Sequence, residues 1–314
     1  MTEERHPSAV ALIWLFVRWM PAVVMVSFLT LWSLVIMGGM ARVLGWLFIT
    51  QVTPGLAFFV AMCVVIYALV RRRISRPMIV AWVLGLFVMF PALWGAGVFG
   101  VKYPASLDDE PAARIRVPSR ERMRVYWGGD ELEKNYHALY PDQRFAYDLV
   151  IEPAGTKSER LEDYGCYGAE VLAPAAGEIV VAHDGEPDQK PGEIVDEALA
   201  GNHIGIELSS KTYLLLAHLM PGSLKVAVGD QVVAGQPLAK CGNSGRTSEP
   251  HLHIHHQRQD PRKVPFGFAE GLPLFFEHLD GPEHPQGGMR QDGDTLVLLG
   301  DYIRDLRTST TAVQ

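Results

Sequence analysis

The chain has 314 residues, with 28 Lys and Arg against 35 Asp and Glu and a formal net charge of −7. An acidic balance with no basic stripe excludes electrostatic capture of nucleic acid. The 48% of hydrophobic residues is unevenly spread: residues 9–101 are apolar and sparsely charged, and the remainder is polar, charged and rich in Gly and Pro, which calls for two separately built parts.

Three apolar runs, 19–40, 49–70 and 78–98, each reach the roughly twenty residues needed to cross a bilayer core. They continue far past the length of a cleaved signal peptide. Gln51 and Pro54 leave the start of the second run open. Arg71, Arg72, Arg73 and Arg76 crowd the second connection, against Arg42 alone in the first, so the four-arginine connection is expected in the cytoplasm; Arg5 and Arg18 agree. Three spans then put everything after about residue 101 outside. The expectation is a multi-pass cytoplasmic (inner) membrane protein, with the lipid membrane as a partner and its C-terminal domain on the extracytoplasmic or periplasmic side. Of three cysteines, Cys63 falls in the second span, and Cys166 and Cys241 in the outer part. An oxidising compartment permits a disulfide between them; two buried free thiols are the alternative.

Residues 1–101 are thus a membrane domain with three transmembrane helices. Residues 102–122, rich in Pro, Asp, Glu and Arg, are expected as a linker. In 123–300 short apolar runs recur between turn residues, at 144–151, 170–172, 178–182, 203–208, 212–219, 231–233, 237–240 and 251–255. That pattern predicts an all-β, antiparallel-sheet extracytoplasmic domain. The acidic stretch 184–201 is expected as a loop at a cleft rim, 272–276 as an edge strand, and 301–314 as a C-terminal tail, disordered from 307.

The densest chemistry lies in Gly242-Asn243-Ser244-Gly245 and Pro250-His251-Leu252-His253. The small residues predict a tight turn, after which a strand begins. Side chains alternate on a strand, so His251 and His253 share one face while Leu252 faces the core. Two imidazoles on one face suit zinc, which takes neutral histidine and keeps one position for water in catalytic sites. The pair alone is equally an ordinary half-exposed strand, and the upstream residues decide. Asp148, Ala173-Pro174…Gly177, Gly201-Asn202, Tyr213…Ala217-His218-Leu219, Gly229-Asp230…Gly235-Gln236 and the two stretches above follow in an order that resembles the lysostaphin-like (LytM-type) zinc endopeptidases of bacterial cell walls, over residues 126–257.

The resemblance implies a peptidase domain in 123–300 that binds Zn2+ through the Asp of an H-x-x-x-D motif, here Asp148, and the second His of H-x-H, here His253. It implies His218 and His251 as catalytic partners beside the metal. The pattern fails at one position: four residues before Asp148 stands Arg144, whose guanidinium has no lone pair for zinc. His137 is the expected substitute, brought in by a hairpin that pairs it with Arg144 on the face of Asp148. The expected metal ligands are therefore His137, Asp148 and His253. The expected function is zinc-dependent endopeptidase hydrolysis of peptide bonds in peptidoglycan, with a metal-activated water and two histidines as acid, base and oxyanion partners. The peptide stems or bridges of peptidoglycan are the expected substrate, and no feature speaks to oligomeric state.

Two other readings compete. A catalytically degenerate module that binds cell wall or activates another hydrolase is favoured by Arg144. A carrier or phosphotransfer module is suggested by Gly229-Asp230…Gly235-Gln236, but Lys240 lacks an acceptor setting. Among the remaining histidines, His203 is expected in a structural hydrogen bond and His255 at the strand end, where relatives carry Glu or Gln, either as decoration or in support of the metal ligands. His183, His278 and His284 are expected in solvated loops.

Overall fold

The computed structural model describes residues 9–195, 197–293 and 295–307; Arg5 and residues 308–314 of the expected tail lie outside them. The chain divides into two compact units, Met1–Val101 and Lys102–Gln314.

In the first unit three helical segments are long and apolar enough to cross a membrane: Trp14–Met37, Gly39–Arg71 and Arg76–Gly95. The second starts ten residues ahead of its expected position. Gly38 and Gly39 take φ of 78° and 62° and break the chain there, a conformation that costs glycine nothing. From Gly39 the chain runs through the helix Gly39–Leu47, a π turn at Phe48–Val52 and the helix Thr53–Arg71 without interruption. Pro54 sits in the first turn of that last helix, where no N–H is required of it.

The second unit is built on a nine-stranded sheet. Its spatial order is Leu279–Asp280, Tyr302–Asp305, Met123–Trp127, Tyr147–Val150, Leu252–Gln257, Tyr213–Leu219, Asn202–Glu207, Gly177–His183 and Gln231–Val232. Every neighbouring pair is antiparallel. Leu149, Ile204, Ile206, Leu214, Leu216, Leu252 and Ile254 are fully buried in the core on one face. The alternate positions, Asp148, His253 and His255, therefore face the other way.

Three expectations need correction. Residues 102–122 do not form a free spacer: Tyr103, Ile115 and Val117 are buried, and Ala113–Ile115 pairs in parallel with Leu274–Phe276. Ile115 and Val117 alternate with Arg114 and Arg116, a short period-two signal hidden among prolines. Part of the expected tail is likewise a strand, Tyr302–Asp305, paired with Met123–Trp127. Finally, the strand expected from residue 144 begins at Tyr147; Arg144 lies in the preceding turn, so its hairpin pairing with His137 does not exist. Cys166 and Cys241 are joined by a disulfide, with Cα atoms 5.7 Å apart.

Candidate metal centre

The strand Leu252–Gln257 lies between Tyr147–Val150 and Tyr213–Leu219, with His253 opposite both Asp148 and Ala217. That register sets Asp148 and His253 side by side, with His253 Nδ1 2.9 Å from Asp148 Oδ1. Both are buried.

His137 arrives from a 3-10 turn, Tyr136–Leu139, instead of a strand. The turn is held by Asn135, which is completely buried. Its Nδ2 donates to the carbonyls of Gly129 and Ala146, at 2.9 and 3.2 Å. Its Oδ1 accepts from the backbone N–H of His137 at 3.2 Å and faces His137 Nδ1 at 3.0 Å. A carboxamide oxygen can only accept, so Nδ1 carries the proton and Nε2 keeps its lone pair. That Nε2 points at Asp148 Oδ2, 3.5 Å away.

Donor atoms of His137, Asp148 and His253 lie within 4.8 Å of one another. Burial pushes the His137 imidazole down to about 3, which keeps it neutral. Burial opposes charge on Asp148, but the imidazoles of His137 and His251, with a hydrogen bond from His251, outweigh it and hold the carboxyl well below the usual range. Two imidazoles and one carboxylate facing inward form an acceptor-rich cluster that a cation relieves, and the donor types are those of a three-ligand zinc site.

The other two histidines flank this cluster. His218 Nδ1 donates to the carbonyl of Ser244 at 2.9 Å, and its ring centre is 4.7 Å from that of His251 and 5.9 Å from that of His253. Its backbone has φ of 62°, unusual for a residue with a side chain. His251 Nδ1 donates to Glu249 O at 2.8 Å, leaving Nε2 3.5 Å from Asp148 Oδ1. Burial holds the His218 pKa well below normal, helped by the nearby imidazoles. For His251 burial acts the same way, but the charge and hydrogen bond of Asp148 overcome it and raise the pKa.

The small-residue motifs lock this arrangement. Gly201 has φ of 55°, and a Cβ there would lie 2.3 Å from the Ser244 carbonyl oxygen. Ser244 Oγ donates to Leu219 O at 2.7 Å and accepts from Asn202 N at 2.9 Å. The carbonyl that orients His218 is thus fixed on both sides.

Sequence reasoning missed Asn135, although an asparagine two residues before a histidine is an Asx-turn signal, and it missed the Ser244 carbonyl, which has none. His255, expected at the strand end as decoration or in support of the metal ligands, is buried against His253. His284 is half-buried with Nδ1 2.8 Å from Tyr147 Oη, not solvated. His203 faces Gly201 O at 2.7 Å; His183 and His278 are exposed. Arg144 is turned elsewhere: it donates to Tyr103 O at 3.0 Å, pairs with the Asp130 carboxylate and stacks over Phe145. Leu199 and Ala200, from the 184–201 loop, border a cavity of about 300 Å³ that is also lined by His137, His218 and His253.

Comparison with known proteins places residues 162–265 under the model of Peptidase family M23. The catalytic domain of lysostaphin from Staphylococcus simulans is 22% identical with a TM-score of 0.29, covering 48% of this chain and 86% of that one. A zinc-containing peptidase from Vibrio cholerae is 20% identical with a TM-score of 0.30, covering 46% and 37%. Pseudoalterin, an M23 metalloprotease from the deep sea, is 16% identical with a TM-score of 0.35, covering 61% and 99%. Calcium-transporting ATPase CtpE of Mycobacterium bovis and of Mycobacterium tuberculosis is 24% identical over 168 residues, 51% of this chain. The chain spans 19% of the length of those curated relatives.

Proposed function

We propose, from the match of residues 162–265 to the model of Peptidase family M23, that the chain is a zinc-dependent endopeptidase cutting peptide bonds of peptidoglycan on the outer side of a membrane crossed by its three apolar segments. The observation that carries the reading is the convergence of His137, Asp148 and His253 with donor atoms inside 4.8 Å. Zinc bound there would polarise a substrate carbonyl and acidify a water. His218 and His251, each tied through Nδ1 to a backbone carbonyl, turn Nε2 toward the reacting region. A nitrogen held that way can take a proton in one step and return it in the next. One of the two would draw the proton from the attacking water and the other would donate to the oxyanion or the leaving amine.

Two features support the outer location independently. The arginines of the second connection favour the cytoplasm for that loop, and a buried disulfide between Cys166 and Cys241 belongs to oxidising compartments. The degenerate-module reading rested on Arg144, and it weakens because a neutral imidazole is available from His137 instead. The test is metal analysis and peptidoglycan digestion with the purified full chain in detergent. About one zinc per chain, as in a mononuclear catalytic site, is expected, with release of peptide termini, and both should disappear in Asp148→Asn. A chain that takes up no zinc overturns the proposal.

A further inference from the structure

Three buried side chains follow one another on the site face of the strand Leu252–Gln257: His253, His255 and Gln257. They are linked in line. His253 Nε2 is 2.9 Å from His255 Nδ1, His255 Nε2 is 3.1 Å from Gln257 Oε1, and Gln257 Nε2 donates to the carbonyl of Gln259 at 2.7 Å.

The direction of every bond in this line follows from its far end. A backbone carbonyl only accepts, so the amide nitrogen of Gln257 is committed to Gln259 and its oxygen faces His255. An amide oxygen also only accepts, so His255 donates through Nε2–H, and its neutral ring has a bare Nδ1. That bare nitrogen accepts the Nε2 proton of His253. His253 is left with its lone pair at Nδ1, 2.9 Å from a carboxylate oxygen of Asp148. Two acceptors at that distance need a cation between them, or a proton in its absence.

We propose that His255 and Gln257 are positioning residues of the metal centre: a one-directional hydrogen-bond line anchored at the Gln259 carbonyl that holds His253 with Nδ1 toward the ion and so sets zinc affinity. The inference rests on the metal-site reading above. Neither residue is among the converging donors, and both act only through His253. Phe266, whose ring centre is 6.2 Å from that of His255, meets it edge-on from the side.

The test is the zinc dissociation constant of the full chain in detergent, measured by competition with a chromophoric chelator. His255→Leu and Gln257→Leu each break the line and should weaken zinc binding 10- to 100-fold, whereas His255→Gln, whose amide oxygen can accept from His253, should stay within about threefold of the parent. Leucine variants that bind as tightly as the parent overturn the proposal. A parent that binds no zinc overturns the metal-site reading itself, so the two failures are distinct. A merely structural role for His255 would lower the thermal midpoint without changing the dissociation constant well below it, and glutamine would not restore it. If His255→Leu does not fold, Gln257→Leu, whose side chain borders an open cavity, carries the same decision.

Discussion

Replacing His137 by alanine tests whether a histidine outside the usual motif supplies the third metal donor. The substitution removes Nε2, which faces Asp148 at 3.5 Å, and leaves the turn intact, because Asn135 Oδ1 still accepts from the backbone N–H of residue 137 at 3.2 Å. Zinc sites with four protein donors bind with roughly 10–16 kcal/mol, or about 2.5–4 kcal/mol per donor. At 1.4 kcal/mol per factor of ten, loss of one donor should weaken zinc binding by about a hundredfold or more. The companion variant adds Arg144→His, restoring histidine four residues before Asp148. It should not recover binding, because that position lies in a turn facing Tyr103 and Asp130. It should also destabilise the domain by about 3 kcal/mol through loss of the buried guanidinium contacts. Competition titration with a chromophoric chelator measures the first effect and urea midpoints the second. Unchanged zinc affinity in His137→Ala, or recovery in the double variant, refutes the reasoning.

The other expectations are more local. His251→Ala should abolish detectable peptide hydrolysis, a loss of about 10²–10⁴-fold for a single acid–base group, while zinc content and circular dichroism stay at parent values; a variant that cleaves as fast as the parent refutes the role. Burial pushes the His256 pKa down to about 4, partly offset by its bond to Pro273 O, so its neutral form stabilises the fold above about pH 6.5. That contribution, up to about 3 kcal/mol, is lost as pH falls from about 6.5 through 4, and urea midpoints of His256→Gln with chelator present should fall less over this range than those of the parent. Reducing the Cys166–Cys241 bond, which spans a sequence separation of 75, should cost roughly 4 kcal/mol on the chain-entropy account; an unchanged thermal midpoint in Cys166→Ser/Cys241→Ser counts against it.

Much of the fold could be read from residue order because the signals are local. The apolar segments announce themselves by length, and the strands Asn202–Glu207, Tyr213–Leu219 and Leu252–Gln257 lie within two residues of their predicted positions at either end because turn glycines and alternating side chains bracket them. What escaped depends on partners distant in sequence. Ala113–Ile115 becomes a strand only by lying beside Leu274–Phe276, and Tyr302–Asp305 only by lying beside Met123–Trp127. Three or four residues carry too little periodicity to stand out alone. His255 was legible only in part for the same reason: alternation puts it on the face of His253, but the fixed direction of the Gln257 amide lies outside any local pattern.

The path by which residue 137 reaches Asp148 shows where pattern reasoning stops: the two side chains do converge, but not through the expected hairpin. A hairpin was the only device that sequence periodicity offers for bringing residue 137 to residue 148. The chain uses a capped turn. One carboxamide does both parts of the work: Asn135 Oδ1 orients the His137 ring, and Asn135 Nδ2 bonds to Ala146 O, two residues before Asp148. The ring is therefore indexed to the carboxylate through a single buried side chain, and the spacing between the two donors along the chain no longer matters. On that reading Arg144 is not the scar of a lost ligand. It closes the turn that lets the strand of Asp148 begin three residues later, and its guanidinium joins Tyr103 and Asp130 to that turn.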